Sequence, residues 1–108
     1  MKFEVIYSDR ALNDLRNIHR YIAVELLAPE AAKNVSDKIM TEIEALDEMP
    51  NRNPLYDKEP WHSRGLRKLI VDNFIAFYLP VEQQNQVLIV TIMYGKRNIT
   101  KILDKLKD

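Results

Sequence analysis

The sequence predicts an α+β domain with the element order β-α-α-β-β-β-α, in which an antiparallel four-stranded sheet carries an N-terminal helical hairpin on one face. In the N-terminal half, apolar residues recur every three or four positions in two segments, as in amphipathic helices. In the C-terminal half, three segments are rich in β-branched and aromatic residues, as in strands. A chain of 108 residues can bury one stable core but not two, so we expect a single domain over residues 1–108.

The N-terminal half predicts one strand and a helical hairpin. Residues 2–7 alternate between apolar and polar side chains, as a strand does. Ser8 is a predicted N-cap of a helix that runs to about residue 26, because its hydroxyl can accept a hydrogen bond from a free N–H. Pro29 suits the first turn of a second helix, which ends near Met49 and Pro50. The short link between the helices implies that they are antiparallel. The two apolar stripes comprise Ala11, Leu15, Ile18 and Ile22, then Ala32, Val35, Ile39, Ile43 and Leu46.

The C-terminal half predicts a three-stranded meander and a final helix. Residues 51–60 hold two prolines and two asparagines and are expected to form a loop. Strands are expected at residues 66–71, 74–79 and 86–94, with Asp72 and Asn73 as a two-residue turn because both tolerate positive φ. Gly95 should end the last strand, and Asn98 should cap a helix with an apolar stripe. Two roles are open to this stripe. Together with the open sheet face it forms a groove for the helix or strand of an antitoxin, or it packs on its own sheet. The stripe comprises Ile99, Ile102, Leu103 and Leu106.

The composition excludes several classes of protein. The chain lacks cysteine, which removes disulfides and thiolate metal sites, and it has only two histidines and two glycines. We therefore expect no metal site, no Gly-rich phosphate loop and no cofactor. No apolar run approaches the roughly 20 residues that cross a bilayer, and Glu4 interrupts the N-terminus where a signal peptide would be apolar. A cytoplasmic protein without a membrane partner is expected.

The net charge of zero conceals an asymmetry along the chain. Residues 1–63 carry 8 Lys/Arg against 12 Asp/Glu, whereas residues 64–108 carry 8 against 4. If the C-terminal half forms one surface, that surface is mildly positive and attracts phosphates or acidic proteins. The alternative is a chance distribution of solvated charges.

Four sets of strings lie in the first helix, the second helix, the first two meander strands and the end of the last strand. They are Ala11-Leu12-Asn13-Asp14-Leu15, Pro29-Glu30-Ala31-Ala32 with Ala45-Leu46-Asp47-Glu48-Met49-Pro50, Gly65-Leu66-Arg67-Lys68-Leu69 with Asn73-Phe74-Ile75-Ala76-Phe77-Tyr78, and Ile92-Met93-Tyr94-Gly95-Lys96-Arg97. Taken in this order over residues 1 to about 98, the strings resemble the RelE/ParE toxin superfamily. The resemblance implies the toxin component of a bacterial type II toxin–antitoxin module, which arrests growth or stabilises plasmids and is neutralised by a cognate antitoxin.

Two branches of the superfamily imply different targets. The RelE-like branch, of ribosome-dependent mRNA endonucleases, has an arginine three residues before the tyrosine that matches Tyr78, where this chain has Ile75. The ParE-like branch, of DNA gyrase inhibitors, has an apolar and aromatic strand there and a His-Gly-Arg-Arg ending, which the string from Tyr94 to Arg97 resembles. The resemblance favours ParE-like inhibition of gyrase. The alternatives are a ribonuclease acting on mRNA at the ribosome and a partner-binding protein with neither activity.

The candidate site residues follow from these strings. Arg67, Lys68, Lys96 and Arg97 supply positive charge for target binding, and arginine binds phosphate or carboxylate with a planar fork. In a ribonuclease, Tyr94 would activate the attacking 2′-hydroxyl while Arg67 and Arg97 stabilise the phosphate. Trp61 either stacks on a base or fills the core.

The two histidines and the cations can also be explained without a functional role. His62 is too isolated to assign to catalysis, and His19 is expected at the surface of the first helix. The alternative for the cations is that they are solvated charges at the sheet edge.

Overall fold

The computed structural model describes residues 2–107 and contains four strands and four α-helices. Short 3₁₀ turns lie at Ala45–Asp47, Pro50–Arg52 and Glu82–Gln84. The elements are β1 (Glu4–Tyr7), α1 (Asp9–Arg20), α2 (Pro29–Glu44), α3 (Trp61–Arg64), β2 (Arg67–Val71), β3 (Phe74–Val81), β4 (Gln86–Tyr94) and α4 (Ile99–Leu106). The one-turn helix α3, just before β2, is absent from the predicted element order.

The N-terminal helical hairpin forms as the sequence predicts. The Ser8 hydroxyl accepts a hydrogen bond of 3.0 Å from the Ala11 N–H and caps α1. The α-helical part of α1 ends at Arg20, earlier than predicted, and a π-helical turn follows over Tyr21–Glu25. Leu27 has a φ of 51°, which reverses the chain before Pro29 begins α2. The connection is short, so α1 and α2 lie side by side.

The sheet is mixed and has the strand order β1-β4-β3-β2. The meander is confirmed, since β2 pairs with β3 and β3 pairs with β4 in antiparallel fashion. However, β1 runs parallel to β4, from Glu4 opposite Gln86 to Tyr7 opposite Ile89. The prediction of a purely antiparallel sheet is therefore wrong. Side-chain alternation is the same in either strand direction, and the long connection from β1 to β4 leaves the direction free.

Both faces of the sheet are covered, each over its own apolar core. The larger core lies between the sheet and the helical hairpin, and the smaller one lies under α3 and α4. The buried residues of the larger core are Ala11, Ile39, Ile43, Leu46, Leu69, Val71, Ala76, Tyr78, Val87, Ile89 and Ile92. Those of the smaller core are Tyr56, Trp61, Leu66, Phe77, Met93 and Leu103.

The final helix packs on its own sheet. Asn98 caps α4 as predicted, because its side chain accepts a hydrogen bond of 3.1 Å from the Lys101 N–H. Leu103 is 1% exposed and belongs to the smaller core. Of the two alternatives for the C-terminal stripe, residues 2–107 therefore show packing on its own sheet, because α4 itself occupies the face that a groove would need.

No helix formed by residues 2–107 is both long enough and apolar enough to cross a membrane. Within the same residues, no three His, Asp or Glu side chains are grouped so that they could hold a metal ion.

Candidate functional site

The end of β4 is a tight turn that presents two cations to solvent. The Gly95 N–H donates a hydrogen bond of 2.8 Å to the Asn73 carbonyl in the β2–β3 turn, and the Arg97 N–H donates one of 3.0 Å to the Tyr94 carbonyl. A Cβ atom at Gly95 would lie 3.3 Å from the same Asn73 oxygen, so glycine permits this close approach. Lys96 and Arg97 are both exposed in the turn between β4 and α4.

Tyr94 flanks these cations. Its side chain is 38% exposed, and its ring packs edge-to-face on Phe74 at a centroid distance of 5.9 Å. We call Tyr94, Lys96 and Arg97 the β4-end cluster. Neither cation forms an ion pair with any of residues 2–107. The carboxylate of Asp72 in the adjacent turn is engaged by Lys38 at 2.9 Å, so the β4-end cluster keeps its positive charge.

A bulge at Val90 bends β4 four residues before Tyr94, the first residue of this cluster. Thr91 pairs with Phe77, but Ile89 pairs with Tyr78, so Val90 is one residue more than β3 can match. Bulges re-aim the strand that follows them, which here is the strand that ends in the β4-end cluster.

The bulge is held by Asp14 from α1. One oxygen of its carboxylate, Oδ2, accepts hydrogen bonds from the Thr91 hydroxyl at 2.5 Å and from the Ile92 N–H at 3.0 Å. Arg10 donates from Nε to the Thr91 hydroxyl oxygen at 3.2 Å. Asp14 thus supplies an acceptor for the Ile92 N–H, which lies beyond the end of β1, where Tyr7 pairs with Ile89.

Sequence reasoning missed this polar network. Two signals pointed to it: Thr91 is a polar residue within the apolar strand 86–94, and Asp14 adjoins the apolar stripe of α1.

Arg67 lies at the opposite end of the sheet from the β4-end cluster. It begins β2, and the four steps along the strand from Arg67 to Val71 span about 13 Å. Its guanidinium donates a hydrogen bond of 2.6 Å to the Asn53 carbonyl and so ties the loop before α3 to the sheet. The expected single patch of Arg67, Lys68, Lys96 and Arg97 is therefore not formed.

The surroundings of Arg67 are structural. It pairs with Tyr78, whose hydroxyl donates to the Pro50 carbonyl at 2.7 Å. Burial raises the pKa of Tyr78, and the hydrogen bond from Asn53 and the positive charge of Arg67 oppose this shift. Lys68 is half-buried and pairs with Phe77, so it points to the other face of the sheet.

Trp61 belongs to the smaller core. It is 5% exposed, and its indole Nε1–H donates a hydrogen bond of 3.0 Å to the Leu103 carbonyl. The guanidinium of Arg64 lies 5.1 Å from the ring centroid. Of the two roles expected for Trp61, the structure therefore shows the core role, because a buried ring cannot stack on a base.

The histidines lie away from the β4-end cluster. His62 is in α3, at the end of the sheet where β2 begins, and its Nδ1 lies 2.9 Å from the Tyr56 carbonyl. His19 is on α1, where its Nδ1 lies 3.2 Å from the Ser36 hydroxyl. Among residues 2–107, then, the β4-end cluster has one tyrosine and two cations but no imidazole to act as a general acid or base.

Comparison with known protein families matches residues 5–99 to the ParE toxin of the type II toxin–antitoxin system, parDE. The chain belongs to the ParE toxin family. This match confirms the resemblance of the sequence to the RelE/ParE toxin superfamily. Comparison of this ParE-family chain with curated proteins gives no significant match.

Solved structures of toxins and toxin–antitoxin complexes share the fold of this ParE-family chain. The chromosomal ParDE system from P. aeruginosa has a TM-score of 0.71 at 22% identity, covering 88% of this chain and 98% of that one. A double mutant of the E. coli toxin RelE in the free state has a TM-score of 0.67 at 11% identity, covering 98% and 99%. The toxin–antitoxin complex RelBE2 from Mycobacterium tuberculosis has a TM-score of 0.61 at 15% identity, covering 87% and 92%.

Proposed function

We propose that this ParE-family toxin arrests growth by binding DNA gyrase through the β4-end cluster, without catalysing a reaction itself. In this proposal the toxin acts in the cytoplasm, its cognate antitoxin neutralises it, and the pair forms a plasmid-stabilising module. The observation that carries the proposal is the position of Ile75. This residue stands where the RelE-like branch has an arginine, and it packs against the smaller core beside Met93.

Cleavage of RNA needs more than the β4-end cluster supplies. An endonuclease requires a general base, a general acid and donors that stabilise the charge developing on the phosphate. Losing one well-placed charged donor typically lowers the rate by about 10²–10³-fold. With an apolar Ile75 and with Arg67 about 13 Å away along the sheet, Tyr94 and Arg97 lack the partners that such chemistry needs.

Binding to a protein target requires exposed charge and an aromatic contact, and the β4-end cluster has both. Lys96 and Arg97 are exposed and have no compensating carboxylate within residues 2–107, so they attract an acidic protein surface at long range. Tyr94 adds a half-exposed aromatic ring held in place by Phe74. Tyrosine and arginine are among the residue types enriched where protein interfaces gain most of their binding energy.

The experiment compares two purified systems. Gyrase supercoiling of relaxed plasmid and mRNA cleavage by programmed ribosomes are measured with the toxin and with the double variant Lys96→Ala, Arg97→Ala. The control is Lys101→Ala, Lys105→Ala, which removes the same charge from exposed positions on α4. We expect inhibition of supercoiling that the first variant loses and the control keeps. Codon-phased mRNA cuts with unaffected supercoiling would replace this proposal with the ribonuclease alternative.

A further inference from the structure

The cationic turn of the β4-end cluster has apolar side chains beside it on both faces of the sheet. On the face of the helical hairpin, Tyr94 packs on Phe74, which borders the larger core. On the opposite face, Ile70 of β2 pairs with Ile75 of β3, which borders the smaller core. Directly paired residues of antiparallel strands share a face, so Ile70 lies on the face that α4 covers. We call Ile70 and Ile75 the β2–β3 apolar pair.

Helix α4 covers this face of the sheet only in part. Ile75 pairs in turn with Met93 of β4, so three apolar side chains form a row across the sheet. Exposure rises along the row, from 6% at Met93 to 63% at Ile70, and Ile75 is intermediate. The end of the row at Ile70 is thus left largely uncovered by residues 2–107.

Gly95 leaves the β2–β3 apolar pair open toward the cations. A Cβ atom at Gly95 would lie 3.6 Å from both Cδ1 and Cγ1 of Ile75, which is van der Waals contact. Any other side chain at this position would therefore cover part of Ile75. Since Lys96 follows directly, the apolar pair adjoins the turn that carries the two exposed cations.

The exposure of Ile70 is unusual for its position. The large apolar side chains that residues 2–107 leave exposed lie mostly in the helical hairpin and its loops, and Ile70 and Tyr94 are the two that belong to strands. Both are at the same end of the sheet, with β2 and β4 about 10 Å apart. Edge strands such as β2 ordinarily avoid exposed apolar side chains, because these promote association with other chains.

Positive charge surrounds the β2–β3 apolar pair. Lys68 lies two residues before Ile70 in β2 and therefore on the same face, and Lys96 and Arg97 lie beyond Gly95. No ion pair formed within residues 2–107 involves any of these three cations. A partner that covers the apolar pair is therefore expected to place carboxylates around its own apolar contact.

We propose that Ile70 is a specificity-determining residue of the toxin, an inference that rests on the proposed function. With Ile75 it contacts an apolar side chain of gyrase, while Lys96 and Arg97 contact acidic residues beside that side chain. Charge alone attracts any acidic surface, so the apolar contact selects a surface that has both features. The phosphate backbone of a nucleic acid would satisfy the cations but would leave the apolar pair uncovered.

The test replaces Ile70 with lysine and measures inhibition of gyrase supercoiling. If charge alone governed binding, Ile70→Lys would add a cation beside Lys68 and strengthen inhibition. The apolar contact instead predicts that half-inhibition requires about tenfold more of this variant than of the wild type. The matched control is Val24→Lys, which makes the same change of charge at a β-branched residue that is 59% exposed, and it should behave as the wild type.

A second variant, Ile70→Ser, removes the apolar contact without adding charge. It should weaken inhibition by a similar factor, and this factor should persist at high salt, because salt screens charges and not apolar contacts. The effect of Lys96→Ala, Arg97→Ala should shrink under the same conditions. Urea unfolding verifies the fold of both Ile70 variants, since polar residues are tolerated on an exposed edge strand.

Three results would overturn the proposal. The first is inhibition by Ile70→Lys as strong as that by Val24→Lys, and the second is an Ile70→Ser effect that disappears at high salt. The third is sedimentation showing a dimer of the toxin that Ile70→Lys dissociates, which would assign the apolar pair to a second copy.

The same variants are compared for growth arrest in cells that lack the antitoxin, which separates this proposal from the choice of target. A wild-type toxin that leaves supercoiling intact would show that gyrase is not the target. In that case, weaker arrest by Ile70→Lys than by Val24→Lys would still support a target-binding role for Ile70, and equal arrest would overturn it.

Discussion

Replacing Asp14 with alanine is expected to destabilise the protein by about 3 kcal/mol. The carboxylate oxygen Oδ2 accepts two hydrogen bonds, from the Thr91 hydroxyl at 2.5 Å and from the Ile92 N–H at 3.0 Å. A hydrogen bond to a charged group contributes about 1.5–3 kcal/mol, and the 18% exposure of the Asp14 side chain places each bond near the lower bound. The ion pair between Arg10 Nε and Asp14 Oδ2 has a distance of 3.9 Å, and the Arg10 side chain is half-exposed. This ion pair therefore contributes little to the free energy of unfolding.

Two further variants test the origin of this energy. Asp14→Asn should cost only about 1 kcal/mol, because the asparagine oxygen can accept both hydrogen bonds without the charge. Combining Asp14→Ala with Thr91→Val should cost about 1 kcal/mol less than the sum of the two single variants, because the hydroxyl that loses its acceptor is itself removed.

The assay is urea unfolding followed by circular dichroism, with Asp104→Ala as the control. Asp104 is exposed on α4, so its replacement should change the free energy of unfolding by less than about 0.5 kcal/mol. Equal effects of alanine and asparagine at position 14, or an alanine variant as stable as the control, would refute the hydrogen-bond account of the bulge.

Three other predictions follow from contacts elsewhere in the fold. Trp61→Phe should lower the free energy of unfolding by about 1–2 kcal/mol, because the Leu103 carbonyl loses its donor, and urea unfolding measures this. Lys96→Ala with Arg97→Ala should leave the unfolding midpoint unchanged while toxicity in growing cells is lost, since both side chains are exposed. Burial, and then the nearby Glu44 carboxylate, raise the pKa of the Tyr7 hydroxyl above its ordinary value of 10.0. The hydroxyl therefore ionises at a lower pH in the unfolded state than in the folded state, and the free energy of unfolding falls as the pH rises above 10.0. Tyr7→Phe should reduce the alkaline loss of stability measured between pH 9 and about pH 11.

The secondary structure was largely predictable from the sequence because it depends on local periodicity. The stripes of α1 and α2, the Ser8 cap and the strand-rich segments depend on residues close together in the chain. The direction of β1 depends on which strand lies beside it, and side-chain alternation contains no such information. The position of α4 depends on whether the sheet face or a partner buries Leu103, and both choices use the same apolar stripe.

The candidate site was predictable in part. The exposed turn at Lys96 and Arg97 was predictable because Gly95, a residue that ends strands, directly precedes them in the sequence. The separation of Arg67 from this turn follows from strand direction, because β2 and β4 run the same way on either side of β3, and Arg67 begins β2 whereas the turn follows the end of β4. The role of Asp14 was not predictable because its partner Thr91 is 77 residues away in the chain, and the two meet only when α1 packs beside β4.

The most direct test of the account is a titration of the toxin against a fixed amount of gyrase in the supercoiling assay, with antitoxin absent. A toxin that acts by binding alone should inhibit in proportion to its occupancy of gyrase, and inhibition should fall with increasing salt because the β4-end cluster attracts its target electrostatically. Full supercoiling at a toxin excess that arrests translation in a parallel ribosome reaction would contradict the account, as would mRNA cleavage by amounts of toxin far below those of the ribosomes.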